Sequence, residues 1–98
     1  MKSITAKDLC EVLKSDDKNV LLLDVRSAEE FEEGHIPGAI NIPAMGLLNR
    51  SDELKGYERI FVNCKGGGRS MMACQYLNQK GFDNVYNVIG GFDAWKEC

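Results

Sequence analysis

Four short runs rich in apolar residues are separated by segments with helical spacing, and this alternation limits the folds available to the chain. The two longest runs are residues 20–25 and 59–63, and shorter ones occupy residues 39–42 and 85–88. Short apolar runs bounded by turn residues are typical of strands buried in a parallel sheet. Strands that alternate with helices predict an α/β fold, in which helices cover both faces of the sheet.

Capping signals mark where the helices between these runs begin and end. Thr5 precedes a helical pattern that we expect to end in the polar residues 15–18. Ser27 and Glu30 form a capping box that opens a brief helix, which Gly34 is placed to end. A longer helix is predicted over residues 70–80, with four residues on its core-facing side: Met72, Ala73, Tyr76 and Leu77.

Size and charge exclude several classes of protein. The 98 residues suit one domain, which we expect to span residues 1–98. The net charge of −3 argues against nucleic acid as a partner. No apolar stretch approaches the roughly 20 residues of a membrane span, and residues 1–18 lack the apolar region of a signal peptide. We therefore expect a cytoplasmic protein whose partners include neither nucleic acid nor a membrane.

The four cysteines are Cys10, Cys64, Cys74 and Cys98, and their spacing is wide and irregular. None forms a C-x-x-C pair, so the spacing predicts no zinc or other metal site. In a reducing compartment we also expect no disulfide. Cysteine chemistry is therefore the feature that remains to be explained.

Cys64 directly follows an apolar run and opens the segment CKGGGRS. Ligands of parallel α/β folds bind at the carboxyl ends of strands, which is where this thiol is expected. The segment should form an anion-binding nest of backbone N–H groups at the start of a helix. Such a nest lowers the pKa of a thiol below its usual value of about 8.5 and prepares it for nucleophilic attack. The candidate site residues are Cys64, Lys65, Gly66, Gly67, Gly68, Arg69 and Ser70.

A simpler interpretation treats Cys64 as a small buried residue beside a tight glycine turn. Three consecutive glycines together with Arg69 at a helix start favour the reactive thiol instead. The segment does not fit the nucleotide-binding pattern G-x-x-x-x-G-K-[ST].

Three segments of the chain resemble the signatures of the rhodanese superfamily: LLDVRSAEEFEEGHIPGAINIP, CKGGGRS and GGFDAW. They occur in the family's order and at its spacing, and the resemblance covers nearly the whole chain. It implies a single rhodanese domain with a five-stranded parallel sheet flanked by helices. It further implies a sulfurtransferase without a cofactor, in which Cys64 carries a persulfide.

The length of the loop bears on the substrate. Cys64 to Arg69 is C-x4-R, whereas cysteine-dependent phosphatases and related arsenate reductases need a loop one residue longer. By resemblance, the six-residue loop suits a sulfane sulfur rather than a phosphoryl group.

The implied reaction is a relay in two steps. The Cys64 thiolate takes the outer sulfur of thiosulfate, and a second nucleophile such as cyanide, a small thiol or a protein thiol removes it. Lys65 and Arg69 would attract the anionic donor, while Asp24 and Arg26 would brace the site through charge-assisted hydrogen bonds. An alternative is a sulfur carrier or interaction module that acts with a protein partner.

Several other residues are expected to have structural roles. His35 should be a hydrogen-bonded turn residue rather than a catalytic base. Cys74 should be packed in the core, although a resolving thiol is the alternative. Phe92 and Trp95 should form the apolar face of a terminal helix that seals the sheet. Three further expectations concern exposure. Met71 should line the mouth of the pocket at the Cys64 loop, Met72 should face the core, and Cys98 should be exposed at the chain terminus.

Overall fold

The computed structural model describes residues 1–15 and 19–96 and contains one five-stranded sheet. The strands are β1 (Lys2–Ile4), β2 (Val20–Asp24), β3 (Ile40–Asn41), β4 (Arg59–Asn63) and β5 (Val85–Val88). The helices are α1 (Ala6–Lys14), α2 (Ala28–Glu33), α3 (Leu47–Arg50), α4 (Gly68–Gln79) and α5 (Gly91–Ala94). Turns of 3-10 helix at Ala44–Gly46 and Ser51–Leu54 flank α3.

Every strand pairing is parallel, and the strand order is β1-β5-β4-β2-β3. The predicted α/β class and the five-stranded parallel sheet are confirmed. β4 lies between β2 and β5, with Asp24 opposite Asn63 and Val62 opposite Asn87. The carboxyl ends of these three strands therefore meet beside Cys64, the residue that follows β4.

Alternate residues of the strands supply two separate apolar cores. One face of the sheet packs against residues of α3 and α4, including Leu47, Ala73 and Leu77. The opposite face of the sheet packs against Leu9 of α1. Phe92 and Trp95, which come near the C-terminal end of the chain, are half-buried against the same face. Burial on both faces explains why the strands of the sheet interior are almost continuously apolar in sequence.

The predicted caps are present in the structure. The Thr5 side chain accepts a hydrogen bond from the backbone N–H of Asp8 at 3.1 Å. The Ser27 Oγ accepts from the Glu30 N–H at 3.2 Å, and the Glu30 carboxylate accepts from the Ser27 N–H at 3.2 Å. Gly34 ends α2 as predicted. Residues 16–18, part of the predicted polar end of α1, lie outside the described residues, as does Cys98.

The prediction that Met72 faces the core is wrong, because its side chain is 71% exposed. The buried positions of α4 are Ser70, Ala73, Cys74 and Leu77. Their i, i+3, i+4, i+7 spacing places the inward stripe one residue away from Met72. α4 also begins at Gly68, two residues before the predicted start, because its N-cap is Gly67.

Cys10 departs from the expectation about cysteine pairing. It is disulfide-bonded, whereas Cys64 and Cys74 are free thiols. Spacing along a sequence does not reveal which cysteines a fold brings together, and the expectation of no disulfide is therefore wrong. Within the described residues, no helix has the length and apolar character needed to cross a membrane.

Candidate active site around Cys64

The loop that follows β4 is shaped by glycines and held by the start of α5. Gly67 has a φ of +101°, in the left-handed region that favours glycine, and a Cβ there would lie 3.3 Å from the backbone nitrogen of Gly90. The N–H of Phe92 donates to the carbonyl of Cys64 at 2.7 Å, and the N–H of Asp93 donates to that of Lys65 at 3.0 Å. The turn at Gly91 thus fixes the backbone that carries the thiol.

The sulfur of Cys64 lies inside the curled loop and is nearly inaccessible, since the residue is 1% exposed. The N–H of Gly67 donates to Sγ at 3.0 Å, and the hydroxyl oxygen of Ser70 lies 3.3 Å away. Burial acts to raise the pKa of Cys64. Hydrogen bonds from the Ser70 hydroxyl and from the N–H groups of Ser70, Gly67 and Arg69 outweigh that effect and lower the pKa from 9.0.

Ser70 has a second partner that the sequence analysis did not include. Its hydroxyl donates to Oδ1 of Asn87 and also lies 3.1 Å from the carbonyl oxygen of Gly67. Asn87 is 5% exposed and belongs to β5. A polar residue within the apolar run of residues 85–88 was the signal in the sequence, because buried polar groups need a hydrogen-bond partner.

The two cations of the loop are both paired with carboxylates. Nη1 and Nη2 of Arg69 lie 2.7 and 3.0 Å from the two carboxylate oxygens of Glu30. Nζ of Lys65 lies 3.1 Å from each carboxylate oxygen of Asp93. Hydrogen bonds from Arg69 and from the Ser27 N–H hold the pKa of Glu30 at about 2. Neither cation therefore presents an unshared charge to an incoming anion.

Asp24 and Arg26 form a buried ion pair at the end of β2, beside the strand β4 that precedes Cys64. Nη2 of Arg26 donates to Oδ2 of Asp24 at 2.8 Å and to the carbonyl of Gly34 at 2.7 Å. The guanidinium also lies 4.8 Å from the centre of the Phe92 ring. The pair joins the end of β2 to the segment after α2 and to α5, which supports the expected bracing role.

His35 and Cys74 lie in structural surroundings. His35 Nδ1 is 2.8 Å from the carbonyl oxygen of Phe31, and the two rings are stacked 3.6 Å apart. Cys74 is fully buried, and burial followed by the charge of Cys64 raises the pKa of its thiol to about 12. A thiol with that pKa stays protonated at neutral pH, which argues against a resolving role.

Two clefts flank the loop. The larger, of about 510 Å³, is lined by the three loop glycines, Asn87 and three exposed apolar side chains, those of Met1, Met71 and Ile89. The smaller, of about 240 Å³, lies beside Arg69 and is lined by the exposed side chains of Met45, Leu48 and Met72. Met71 lies at the edge of the loop as predicted. Among the described residues, no cluster of His, Cys, Asp or Glu could hold a metal ion.

Comparison with known proteins shows which family and which relatives this chain resembles in sequence. The model of the rhodanese-like domain family matches residues 6–98. The thiosulfate sulfurtransferase GlpE of Shewanella oneidensis is 37% identical over 87 residues, which cover 89% of this chain and 86% of that protein. YrkF of Bacillus subtilis, whose name proposes a sulfur carrier protein, is 39% identical over 79 residues. That match covers 81% of this chain but only 43% of the relative.

A solved structure is also similar over nearly the full length. The crystal structure of a rhodanese-like domain protein from Staphylococcus aureus has a TM-score of 0.89 and 37% sequence identity. The match covers 99% of this chain and 93% of that chain.

Proposed function

Because the chain belongs to the rhodanese-like domain family, we propose that it is a sulfurtransferase that carries sulfane sulfur as a persulfide on Cys64. Its relatives include proteins named as sulfurtransferases and one named for sulfur carriage. The observation that supports the proposal most directly is the set of donors around one sulfur atom. The N–H of Gly67 and the hydroxyl of Ser70 both lie within hydrogen-bonding distance of Cys64 Sγ.

In the first step, the Cys64 thiolate attacks the outer sulfur of thiosulfate. The bond between the two sulfurs of thiosulfate breaks, and sulfite leaves with the electron pair. The product is a persulfide whose terminal sulfur carries the negative charge. The N–H groups at the start of α4 lack partners within the helix and can stabilise that charge.

In the second step, a nucleophile such as cyanide or a thiolate attacks the terminal sulfur of the persulfide. The bond to Sγ breaks, the acceptor leaves with the sulfur, and the Cys64 thiolate is regenerated. A covalent intermediate of this kind gives ping-pong kinetics.

The stabilising charge in this scheme comes mainly from the backbone. Arg69 and Lys65 are neutralised by Glu30 and Asp93, so they contribute less to donor capture than their charges alone would predict. The N–H groups and the positive end of the α4 dipole remain directed at the sulfur.

A second candidate function, sulfur carriage to a protein partner, is favoured by the apolar side chains around the loop. Six exposed residues line the two clefts beside it: Met1, Met45, Leu48, Met71, Met72 and Ile89. Apolar patches of this kind suit contact with another protein surface. Under this proposal, the persulfide is stable and cyanide turnover is slow until a partner protein is added.

Intact-mass measurement after incubation with thiosulfate tests the persulfide. We expect the added mass of one sulfur atom on the wild-type protein and on Cys74→Ala, and none on Cys64→Ser. The same addition on Cys64→Ser, or none on the wild type, would overturn the proposal. Hydrolysis of an aryl phosphate would instead point to phosphatase activity, which the six-residue loop disfavours.

A further inference from the structure

We propose that Asn87 controls the reactivity of Cys64 by competing with its sulfur for the single hydroxyl proton of Ser70. The proposal rests on the proposed function only in taking Cys64 as the nucleophile. Asn87 does not contact the sulfur in any hydrogen bond of the structure, so it would act as a positioning residue through Ser70.

The geometry offers one proton to several acceptors. A serine hydroxyl carries one hydrogen and can accept through its lone pairs. Around Ser70 Oγ lie Oδ1 of Asn87, the carbonyl oxygen of Gly67 at 3.1 Å and Sγ of Cys64 at 3.3 Å. Ser70 and Asn87 are both buried, so solvent does not readily replace a lost partner.

The two protonation states of Cys64 place opposite demands on that hydroxyl. When Cys64 is a neutral thiol, its S–H can donate to Ser70 Oγ while the hydroxyl donates to Asn87. When the thiol loses its proton to solvent, the thiolate is stabilised if the hydroxyl turns towards it. Turning leaves Oδ1 of Asn87 without that hydrogen bond in a buried position, which carries a free-energy cost.

Asn87 therefore favours the thiol over the thiolate. Removing its acceptor oxygen should let the Ser70 hydroxyl donate to the sulfur without that cost, and so lower the pKa of Cys64. Removing the hydroxyl itself should raise the pKa. The two substitutions thus have opposite signs, which a purely structural role of either residue would not produce.

The charged side chains of the loop and of the end of β2 are arranged in pairs, and Lys2, which lines the larger cleft together with Asn87, has its Nζ 5.5 Å from the centre of the Tyr86 ring. The pairs in this region are Asp24 with Arg26, Glu30 with Arg69 and Lys65 with Asp93. Arg69 interacts electrostatically with Cys64 despite its pairing, and Cys74, the other nearby thiol, stays protonated. None of these groups is changed by a substitution at position 87.

The position of Asn87 makes the test practical. Its side chain borders the larger cleft next to the loop glycines. Valine suits a strand, and leucine has the same number and branching of side-chain heavy atoms as asparagine, so the two replacements test one prediction with different packing.

The experiment measures the rate of iodoacetamide alkylation of Cys64 as a function of pH, with the modified residue identified by peptide mass mapping. The variants are Asn87→Val, Asn87→Leu, Ser70→Ala and the double variant Ser70→Ala with Asn87→Val. We expect both Asn87 variants to shift the titration midpoint to lower pH. Below the midpoint, their thiolate fraction should be about fivefold higher, and their alkylation about twofold to threefold faster than that of the wild type, because a thiolate of lower pKa is also less nucleophilic.

Ser70→Ala should shift the midpoint to higher pH, and adding Asn87→Val to it should cause no further change. An equal effect of Asn87→Val with and without Ser70 would overturn the proposal, as would a shift to higher pH in both Asn87 variants. The persulfide assay is independent of this readout. Loss of the shift with persulfide formation intact would reject only the role of Asn87. The expected shift in a protein that never forms the persulfide would reject only the proposed function.

Discussion

Arg69 and Glu30 form a bidentate ion pair that joins the first turns of α4 and α2, with nitrogen–oxygen distances of 2.7 and 3.0 Å. The same Glu30 carboxylate accepts from the N–H of Ser27 and completes the capping box of α2. One carboxylate thus both holds a helix start and neutralises the only arginine of the CKGGGRS loop. The pair decides how much positive charge the loop presents to an anionic donor.

The first prediction concerns donor capture. Glu30→Gln keeps a residue that can complete a capping box but releases the charge of Arg69. We expect the KM for thiosulfate to fall about twofold to fivefold at low ionic strength, because an unshared cation attracts the anion, and the difference to vanish in high salt. Steady-state kinetics at two salt concentrations measure it. An unchanged KM at low salt would show that Arg69 has no part in capture.

The same residue gives a prediction about pH and stability. The pKa of Glu30 is lowered from 4.5 to about 2, so its ionised form is favoured in the folded state. Its contribution is therefore fully present above about pH 4.5 and is lost as the pH falls towards 2. Urea denaturation at several pH values should show the wild type more stable than Glu30→Gln at pH 6, with the gap closing through this window. A gap that stays constant down to pH 2 would contradict the prediction.

A third prediction concerns the glycine that lets α5 approach the loop. A Cβ at Gly91 would lie 2.3 Å from the carbonyl oxygen of Cys64 and 2.6 Å from that of Lys65, and φ is +56°. Gly91→Ala should lower the free energy of unfolding by about 2–4 kcal/mol, because both strain and overlap are introduced. It should also reduce kcat/KM, since the backbone of Cys64 must shift.

Gly81→Ala is the matched control for that substitution. Gly81 also has a positive φ, +101°, but a Cβ there has no atom within 4 Å. Gly81→Ala should lower the free energy of unfolding by only about 1 kcal/mol and leave kcat/KM unchanged. Equal losses of stability in the two variants, measured by urea denaturation, would show that the close approach of Gly91 is unimportant.

A fourth prediction compares a buried ion pair with an exposed one. Arg26→Met leaves the fully buried carboxylate of Asp24 without its cation, which should cost about 3–5 kcal/mol of unfolding free energy. Arg50→Met removes the exposed pair with Glu53 and should change the free energy of unfolding very little, because solvent screens the pair. Denaturation curves of both variants measure the contrast. Similar small losses would mean that Arg26 does not brace the end of β2.

A fifth prediction concerns Asn63, the residue before Cys64. Asn63 is fully buried, and neither polar atom of its side chain has a hydrogen-bond partner among the described residues. Asn63→Leu should therefore raise the free energy of unfolding by about 1 kcal/mol, because a buried unpaired amide is removed.

Asn84→Leu provides the control for Asn63, since Nδ2 of Asn84 donates to the carbonyl of Tyr57 at 2.7 Å. We expect this variant to lose stability. Thermal and urea denaturation should therefore move in opposite directions for the two leucine variants. A loss of stability in Asn63→Leu would contradict the fifth prediction.

The sequence by itself determined the features that depend on neighbours along the chain. Apolar runs predicted four of the strands, and capping residues predicted the starts of α1 and α2. The glycines after Cys64 predicted a loop whose N–H groups reach the sulfur, as the bond from Gly67 shows. These predictions succeed because residue periodicity and turn chemistry act over only a few positions.

The tertiary structure decided which distant groups meet at the site. Glu30 reaches Arg69 across 39 positions, Asp93 reaches Lys65 across 28, and Asn87 reaches Ser70 across 17. The tertiary structure also decided which side of α4 packs against the sheet, and this is why the prediction that Met72 faces the core was wrong. The physical reason is the strand order: β4 lies between β2 and β5, so segments far apart in the sequence converge at its carboxyl end, and hydrogen-bond and charge partners are chosen by that proximity.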